Sequence, residues 1–334
     1  MENHLHFQVV VINETTMEKI LCIGEALIDM ICTDRNRSLA DGENFLKKAG
    51  GAPMNVAAAI GALGGDVMVA AKVGADPFGQ HLTDVLKSFN VDTTHIIRDK
   101  THFTTFAFVT LLENGERDFY FNRGADGMLA VGDVEAIQLD SCGIVHFGSA
   151  TGFLPGPLQE AYLHLLDKAK SFGKFISFDP NYRQLLFGHQ QEEFITRSWQ
   201  FIRQAHFFKV SDEEALLLTG KSTVNDAATH FFQECNAVFA ITLGKEGTLL
   251  GFQSTIYILP SIRIKPVDTT GAGDAFVGAV LFQLSSMNSE AIASLNESGW
   301  KEIILQANKA GARTCEYMGA MEAFKHLSKD IFKL

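Results

Sequence analysis

Short apolar runs closed by glycine or by a polar cluster alternate along the chain with longer stretches whose apolar residues recur every three or four positions. The run Lys19-Ile20-Leu21-Cys22-Ile23-Gly24 predicts a buried strand, and residues 67–73 predict another. Residues 53–63 are alanine-rich, open on Pro53 and stop at Gly64-Gly65, which predicts a helix. A second helix is predicted over 78–89, with Leu82, Val85, Leu86 and Phe89 on one face. Further strands are expected at 144–147, 175–178, 207–210 and 238–243, with helices between them. Strands that alternate with helices imply a parallel sheet covered on both faces.

Two regions break this rhythm. Residues 31–48 and 103–121 read as strands with no helix between them, and Asn114-Gly115 between two β-rich runs is a hairpin signal. Such strands do not easily join a parallel sheet. They are expected to form a small separate sheet, placed like a lid beside the larger body. No internal repeat and no low-complexity linker divides the chain.

At 334 residues the chain can bury a large core, and 46% apolar with 20% charged residues describes a globular protein. The formal charge of −11 argues against a nucleic-acid surface, which needs concentrated basic residues. No apolar stretch approaches the ~18 residues of a membrane span. Cys22, Cys32, Cys142, Cys235 and Cys315 are scattered without a C-x-x-C pair, so they are expected to be reduced, in a cytoplasmic setting. Glu2 and the short run Val9-Val10-Val11-Ile12 do not make a secretory signal, and residues 1–18 are expected to be an extension.

The candidate chemistry lies in four places. Gly271-Ala272-Gly273-Asp274 precedes an apolar run, so its bare backbone opens a helix whose unpaired N–H groups can take an anion. A carboxylate beside an anion site is at odds with it unless it does chemistry there, and Asp274 could take a proton from an attacking hydroxyl. The plain alternative is a tight turn with Asp274 as a first-turn charge. Ala49-Gly50-Gly51-Ala52-Pro53-Met54-Asn55 is either a turn or a hinge that admits a ligand, with Asn55 as its polar contact. Lys209-Val210-Ser211-Asp212-Glu213-Glu214 and Ile241-Thr242-Leu243-Gly244-Lys245-Glu246-Gly247 follow apolar strands, at the end where α/β sheets bind ligands. A helix start and a hairpin turn are their plain readings. Thr219-Gly220-Lys221-Ser222 mimics a phosphate-binding loop, but Ala215 stands where the first glycine belongs and the run before it is helix-like.

Together these segments resemble the PfkB (ribokinase-like) carbohydrate kinases. Gly24-Glu25-Ala26-Leu27-Ile28-Asp29 is similar to that family's opening strand and substrate aspartate, the segment from Gly50 to Asn55 to its first signature, and that from Asp268 to Asp274 to its second. The resemblance runs from about residue 19 to residue 323. It implies a ribokinase-like three-layer α/β/α domain over 19–330, with a central mostly parallel sheet and a small β-sheet lid from segments near 31–48 and 101–123. It also implies ATP-dependent phosphorylation of a sugar hydroxyl with Mg2+. Asp274 would be the base, with Gly271, Ala272 and Gly273 donating to the phosphate. Asp29, Gly50, Gly51 and Asn55 would bind the sugar. Lys209, Ser211, Thr242, Gly244, Gly247 and Asn308 would face ATP, although Ser211 stands where many relatives carry asparagine. Glu214 matches the glutamate linked to magnesium through water. Asp268, Thr270 and Gly319 match positions associated with a monovalent cation, K+, although Glu316-Tyr317-Met318 differs from the commoner basic pattern.

The stretches Phe178-Asp179-Pro180-Asn181-Tyr182-Arg183 and Arg117-Asp118-Phe119-Tyr120-Phe121-Asn122-Arg123, with Asp126, are most similar to the fructokinase and 2-keto-3-deoxygluconate kinase branches. They add Phe121, Arg123 and Arg183 to the substrate side, and surface salt bridges are the plain reading of both arginines. Fructose is the favoured substrate, then the keto-deoxy sugar acid, then ribose or nucleosides. A sugar-binding protein that no longer reacts is the alternative from another class. The expected partners are a small sugar and ATP, with no nucleic acid or membrane, and two copies could pair through the lid.

Overall fold

The computed structural model describes residues 17–34, 36–111 and 117–333. Among the described residues thirteen strands form two sheets. The larger comprises β1 (Lys19–Ile23), β4 (Val67–Gly74), β5 (Ile96–Asp99), β8 (Cys142–Phe147), β9 (Phe175–Phe178), β10 (Phe207–Ser211), β11 (Val238–Thr242), β12 (Thr248–Phe252) and β13 (Thr255–Leu259). The smaller comprises β2 (Leu27–Cys32), β3 (Phe45–Gly50), β6 (Phe106–Leu111) and β7 (Arg117–Asn122). The spatial orders are β13-β12-β11-β10-β9-β8-β1-β4-β5 and β3-β2-β6-β7.

The large sheet is parallel from β5 to β11 and ends in the antiparallel strands β12 and β13. The two-residue period of its strands divides the core. Ile20, Cys22, Val67 and Val69 join one apolar layer, while Leu21, Ile23, Met68 and Ala70 join the other. Helices Ala52–Ala62, Ala272–Ser285 and Glu297–Thr314 cover the first face, and Pro157–Ser171, Gln191–Ile202 and Val224–Glu234 cover the second. The two faces are packed with different residues. The first is rich in alanine, so its helices lie close, and a Cβ on Gly278 would come within 2.9 Å of Ala59 Cβ. The second is filled by stacked and edge-on rings, including Phe147, Phe153, Tyr162, Phe178 and Phe201.

The small sheet is mostly antiparallel, with β2 and β6 running parallel. Its first strand starts at Leu27, four residues before the helix-free segment expected from the sequence, because β2 resumes almost at once after β1. The Asn114-Gly115 turn lies outside the described residues, as do residues 1–16 of the extension. Gly220 in the phosphate-loop mimic is the left-handed cap that ends helix Asp212–Thr219, so that loop is a helix terminus.

Strand order reverses at β1, with β4 on one side and β8 on the other. A crevice opens outside the strand ends at such a point. Here the chain leaves β1 through Gly24-Glu25, which leads into β2 of the small sheet, and leaves β8 through Gly148-Ser149, whose Ser149 hydroxyl donates to Glu25.

Candidate active site

Asp274 sits in the first turn of helix Ala272–Ser285, whose N-cap is Gly271 in the left-handed region at φ 80°. A side chain on Gly271 would also drive its Cβ to 2.4 Å from Ala320 Cβ, so the turn takes glycine for space as well as conformation. The close packing at Gly278 brings helix Ala52–Ala62 alongside, and Asn55 Nδ2 donates to Asp274 Oδ2 at 2.8 Å. Both residues are buried. Burial pushes the Asp274 carboxyl up, while the Asn55 bond and the charges of Arg183 and Lys209 hold it back. The first-turn N–H groups have no carbonyl one turn behind them. Ala272 N donates to Thr269 O at 3.2 Å, so of the three expected donors this one is already engaged.

Asp29 lies on β2 facing the crevice. Gly50 is bare because any Cβ there would lie 2.1 Å from Asp29 Oδ2. Burial pushes Asp29 up to about 7, Arg183 opposes this, and the nearby Glu25 adds to it. Strand register sets Lys48, Ala107 and Phe121 level with Asp29, so Phe121 shares its face two strands away.

Arg183 and Arg123 differ sharply. Arg183 is exposed and bonds Tyr182 O and Asn181 Oδ1, and its charge acts on both Asp29 and Asp274. Arg123 is tied into the body. Its Nη1 donates to Pro155 O at 2.7 Å, its Nη2 to Thr151 O at 3.4 Å, and Nε lies 3.6 Å from buried Asp126. The ion-pair reading of Arg123 describes these contacts, though the pair is partly buried.

Glu25 was not singled out by sequence reasoning. It is 1% exposed, and its carboxylate accepts from Ala52 N at 3.0 Å, from Ala150 N at 3.3 Å and from the Ser149 hydroxyl. It thereby caps helix Ala52–Ala62, whose N-cap Gly51 has no side chain to do so. Asp126 is equally buried and accepts from Thr105 and Thr151, while Gly124 N donates to Thr105 Oγ1. Ser149 and Thr151 bridge the two carboxylates. This network braces the segments through which the chain passes between the two sheets. The signal in the sequence was an acidic residue wedged between glycine and an apolar strand.

On the other side of Asp274, Lys209 Nζ lies 3.2 Å from Asp179 Oδ2. Burial works to lower the lysine, but Asp179, Glu214 and Asp274 outweigh it and keep the ammonium charged. Ser211 caps helix Asp212–Thr219, bonding Glu214 N through its hydroxyl, and Glu214 accepts from Ser211 N and Tyr182 N, both at 2.8 Å. Gly244 and Gly247 have φ of 57° and 106° in the connection from β11 to antiparallel β12, so this loop is also the hairpin turn of its plain reading. Thr242 Oγ1 points back to Val210 O at 3.4 Å. Asn308 uses its amide internally, accepting from Thr248 Oγ1 at 2.6 Å and donating to Leu259 O and Pro260 O. It shapes the wall rather than presenting a free amide. Asp268, Thr270 and Gly319 do meet: Asp268 accepts from Thr270 N and Oγ1 and, at 2.8 Å, from Gly319 N. Lys48 also approaches, its Nζ 3.6 Å from where a Gly319 Cβ would sit.

Among the described residues no helix is long and apolar enough to cross a membrane. The pfkB family carbohydrate kinase profile matches residues 17–327. Fructokinase-1 of Zea mays is 36% identical over 307 residues, spanning 91% of this chain and 94% of its own length. The crystal structure of fructokinase from Vibrio cholerae O395, with fructose, ADP and calcium ion bound, superposes with a TM-score of 0.82 at 28% identity, covering 95% of this chain and 98% of that one. The fructokinase of Xylella fastidiosa with bound ATP gives a TM-score of 0.83 at 28% identity, with coverage of 95% and 98%. With the fold, the glycine turn and the whole-length match in agreement, the chain belongs to the pfkB family of carbohydrate kinases.

Proposed function

We propose that this carbohydrate kinase transfers the γ-phosphoryl group of ATP to a terminal hydroxyl of fructose. The observation that carries the reading is the buried Asp274, bonded to Asn55 behind a glycine turn, with Arg183 acting on both it and Asp29. Asp29, Gly50, Gly51, Asn55 and Phe121 hold the sugar, with Arg183 at its edge and Arg123 supporting the wall. Lys209, Ser211, Thr242, Gly244, Gly247 and Asn308 bound the ATP side. Asp274 takes the proton of the attacking hydroxyl as the new O–P bond forms and the bond to the β-phosphate oxygen breaks. Gly271 and Gly273 donate N–H groups to the charge on the transferring group, Ala272 N being held by Thr269 O.

Among the described residues no group of three acidic or imidazole side chains is placed to hold a metal ion, so a divalent cation would be met at Glu214 rather than by a cluster of ligands. Both Glu214 oxygens already accept backbone N–H groups, which suits contact with Mg2+ through water. Bound there, Mg2+ would neutralise phosphate charge. For a monovalent cation, the Asp268 carboxyl is a fitting anion: burial would raise it, but its Thr270 and Gly319 donors and the Lys48 charge keep it low. Comparing rates in K+ and Na+ tests that site. The five free cysteines are in keeping with a cytoplasmic setting.

The small sheet is proposed to close over the sugar, hinged where Glu25 and Asp126 brace the crossings. Saturating fructose should slow proteolysis within 103–121 and ATP alone should protect less; equal cleavage with and without fructose would oppose closure. Ile31 and Leu46 are level neighbours and exposed, which suits pairing of two copies through this sheet, and sedimentation tests it.

Fructose and a sugar acid are separated by Arg183→Gln. A neutral hydroxyl loses little, so fructose kcat/KM should fall roughly tenfold. A carboxylate substrate would lose a charge-assisted bond of about 1.5–3 kcal/mol. A wild type that prefers 2-keto-3-deoxygluconate, and loses that preference in the variant, would favour the second reading.

A further inference from the structure

On the small sheet Lys48 of β3 stands level with Asp29 of β2, so both side chains project from the face toward the crevice. Opposite charges directly across an antiparallel pair normally attract each other. Here they do not meet. The charges that act on Asp29 are those of Arg183 and Glu25, and Lys48 is not among them. No carboxylate of the described residues lies within ion-pair distance of its ammonium. Instead the half-buried side chain reaches off the small sheet to the loop at Gly319, which belongs to the larger body. A Cβ on Gly319 would lie 3.8 Å from Lys48 Cδ and 3.6 Å from both Cε and Nζ, so the end of the side chain lies along that bare backbone. A lysine that merely kept its head in water would extend away from the body.

An ammonium at this point is opposed by the first-turn N–H groups of helix Ala320–Phe324, whose N-cap is Gly319. Two carboxylates offset them. Burial would raise Asp268, but its Thr270 and Gly319 donors and the Lys48 charge hold it low. Glu322 is held low by its bond to Lys325 first and by Lys48 as a lesser charge. The loop so contacted supports the glycine turn. Gly319 N and Thr270 N both donate to Asp268, Val267 N donates to Cys315 O at 2.7 Å, and Ala320 fills the space beside Gly271. Along the chain, β3 runs straight into Gly50-Gly51 and the helix of Asn55, which bonds Asp274. The small sheet is therefore joined to the reacting end by Asn55 and, separately, by Lys48.

We propose that Lys48 is a positioning residue of phosphoryl transfer, a latch by which the small sheet, with the sugar seated at Asp29, is fixed against the loop that supports the turn from Gly271 to Gly273. The proposal rests on the kinase reading above and deepens it. A ligand shifts a moving element only through contacts that differ between its arrangements. The Lys48 contact exists only while the small sheet lies against Gly319, so it favours the arrangement that brings the sugar hydroxyl to Asp274. Sugar on one side of the latch and nucleotide on the other should therefore strengthen each other's binding. Lys48 transfers no proton in this role and acts through the loop.

The test compares wild type with Lys48→Met, which keeps the stem and removes the charge, and Lys48→Arg, which keeps the charge. Calorimetry gives the fructose Kd with and without saturating ADP and Mg2+, at constant ionic strength in Na+. Steady-state kinetics under Mg-ATP give kcat and KM, and scanning gives Tm. In the wild type ADP should tighten fructose binding at least about fivefold. In Lys48→Met the Kd for fructose alone should hold, the tightening should shrink to less than about twofold, and kcat should fall roughly tenfold, since alignment and not sugar contact is lost. Tm should stay near wild type, because a partly exposed charge contributes little to folding. Lys48→Arg should keep most of the tightening and of kcat. A wild type in which ADP leaves fructose affinity unchanged, a Lys48→Met variant that keeps the tightening, or equal losses in both variants would overturn the proposal. So would recovery of the tightening in Lys48→Met when K+ replaces Na+, since any cation at Asp268 would then serve. If the wild type turns over another sugar and not fructose, the fructose assignment fails and the same variants are read on that sugar. Absence of turnover with every sugar overturns both.

Discussion

Asp274→Asn is expected to lower kcat for fructose phosphorylation by about 10²–10⁴-fold while leaving fructose and ATP binding nearly intact. The replacement has the same shape, and a rotated amide can still accept from Asn55 Nδ2, which now lies 2.8 Å from the carboxylate. What disappears is the proton acceptor. The wild-type carboxyl is raised by burial, so its activity should fall as the pH is lowered and Asp274 becomes protonated. The variant should lose that dependence in kcat, while any dependence of kcat/KM that comes from Asp29 remains. Steady-state kinetics and calorimetry on the same preparation check both parts, and a near-normal kcat would exclude Asp274 as the base.

Asp29→Ala should act on sugar recognition instead. A hydrogen bond to a charged group contributes about 1.5–3 kcal/mol, so fructose kcat/KM should fall by roughly 10- to 150-fold, mostly through KM. ATP KM should stay near wild type. A raised ATP KM with unchanged fructose KM would put Asp29 at the other end of the site. Asp29 also has a pH signature. Its carboxyl moves from an ordinary value of 3.8 to about 7, and the ionised form accepts hydroxyl protons. Wild-type fructose kcat/KM should therefore rise with pH through about 7, and Asp29→Asn should flatten that limb. Stability follows the opposite sign. Between pH 3.8 and about 7 the folded chain binds more protons at this residue than the unfolded chain, so its contribution to stability falls as pH rises across that window.

The parallel strands of the large sheet other than β5 were legible as short apolar runs, some closed by glycine, as at Ile23-Gly24 and Phe147-Gly148; β5, only the stretch Ile96–Asp99, was missed. The glycine turns were legible for the same reason: a bare backbone before Asp274 and after Ala49 has few structural uses. The antiparallel pair β12 and β13 was missed, since Thr248–Phe252 and Thr255–Leu259 carry no helix between them and sit beyond a loop read chiefly as a ligand site. Residue types also revealed less than their surroundings. Arg123 and Arg183 look equivalent in sequence, yet Arg123 is held by carbonyls and Asp126 while Arg183 stays exposed beside the two key carboxylates. Glu25 and Asp179 passed without a role, because the charge of a residue shows in the sequence and its burial does not. The inward position of Lys209 could have been found from the alternation in Phe207-Phe208-Lys209-Val210, where a lysine replaces an apolar residue on a covered face.

Whether this kinase acts on fructose is decided by a coupled assay of the purified wild-type chain with Mg-ATP against fructose, 2-keto-3-deoxygluconate, ribose and a nucleoside. ADP release with fructose at the highest kcat/KM is expected, accompanied by a sugar phosphate at a terminal hydroxyl. Binding of fructose without ADP release, or a higher kcat/KM for any other member of the panel, would contradict the fructose assignment.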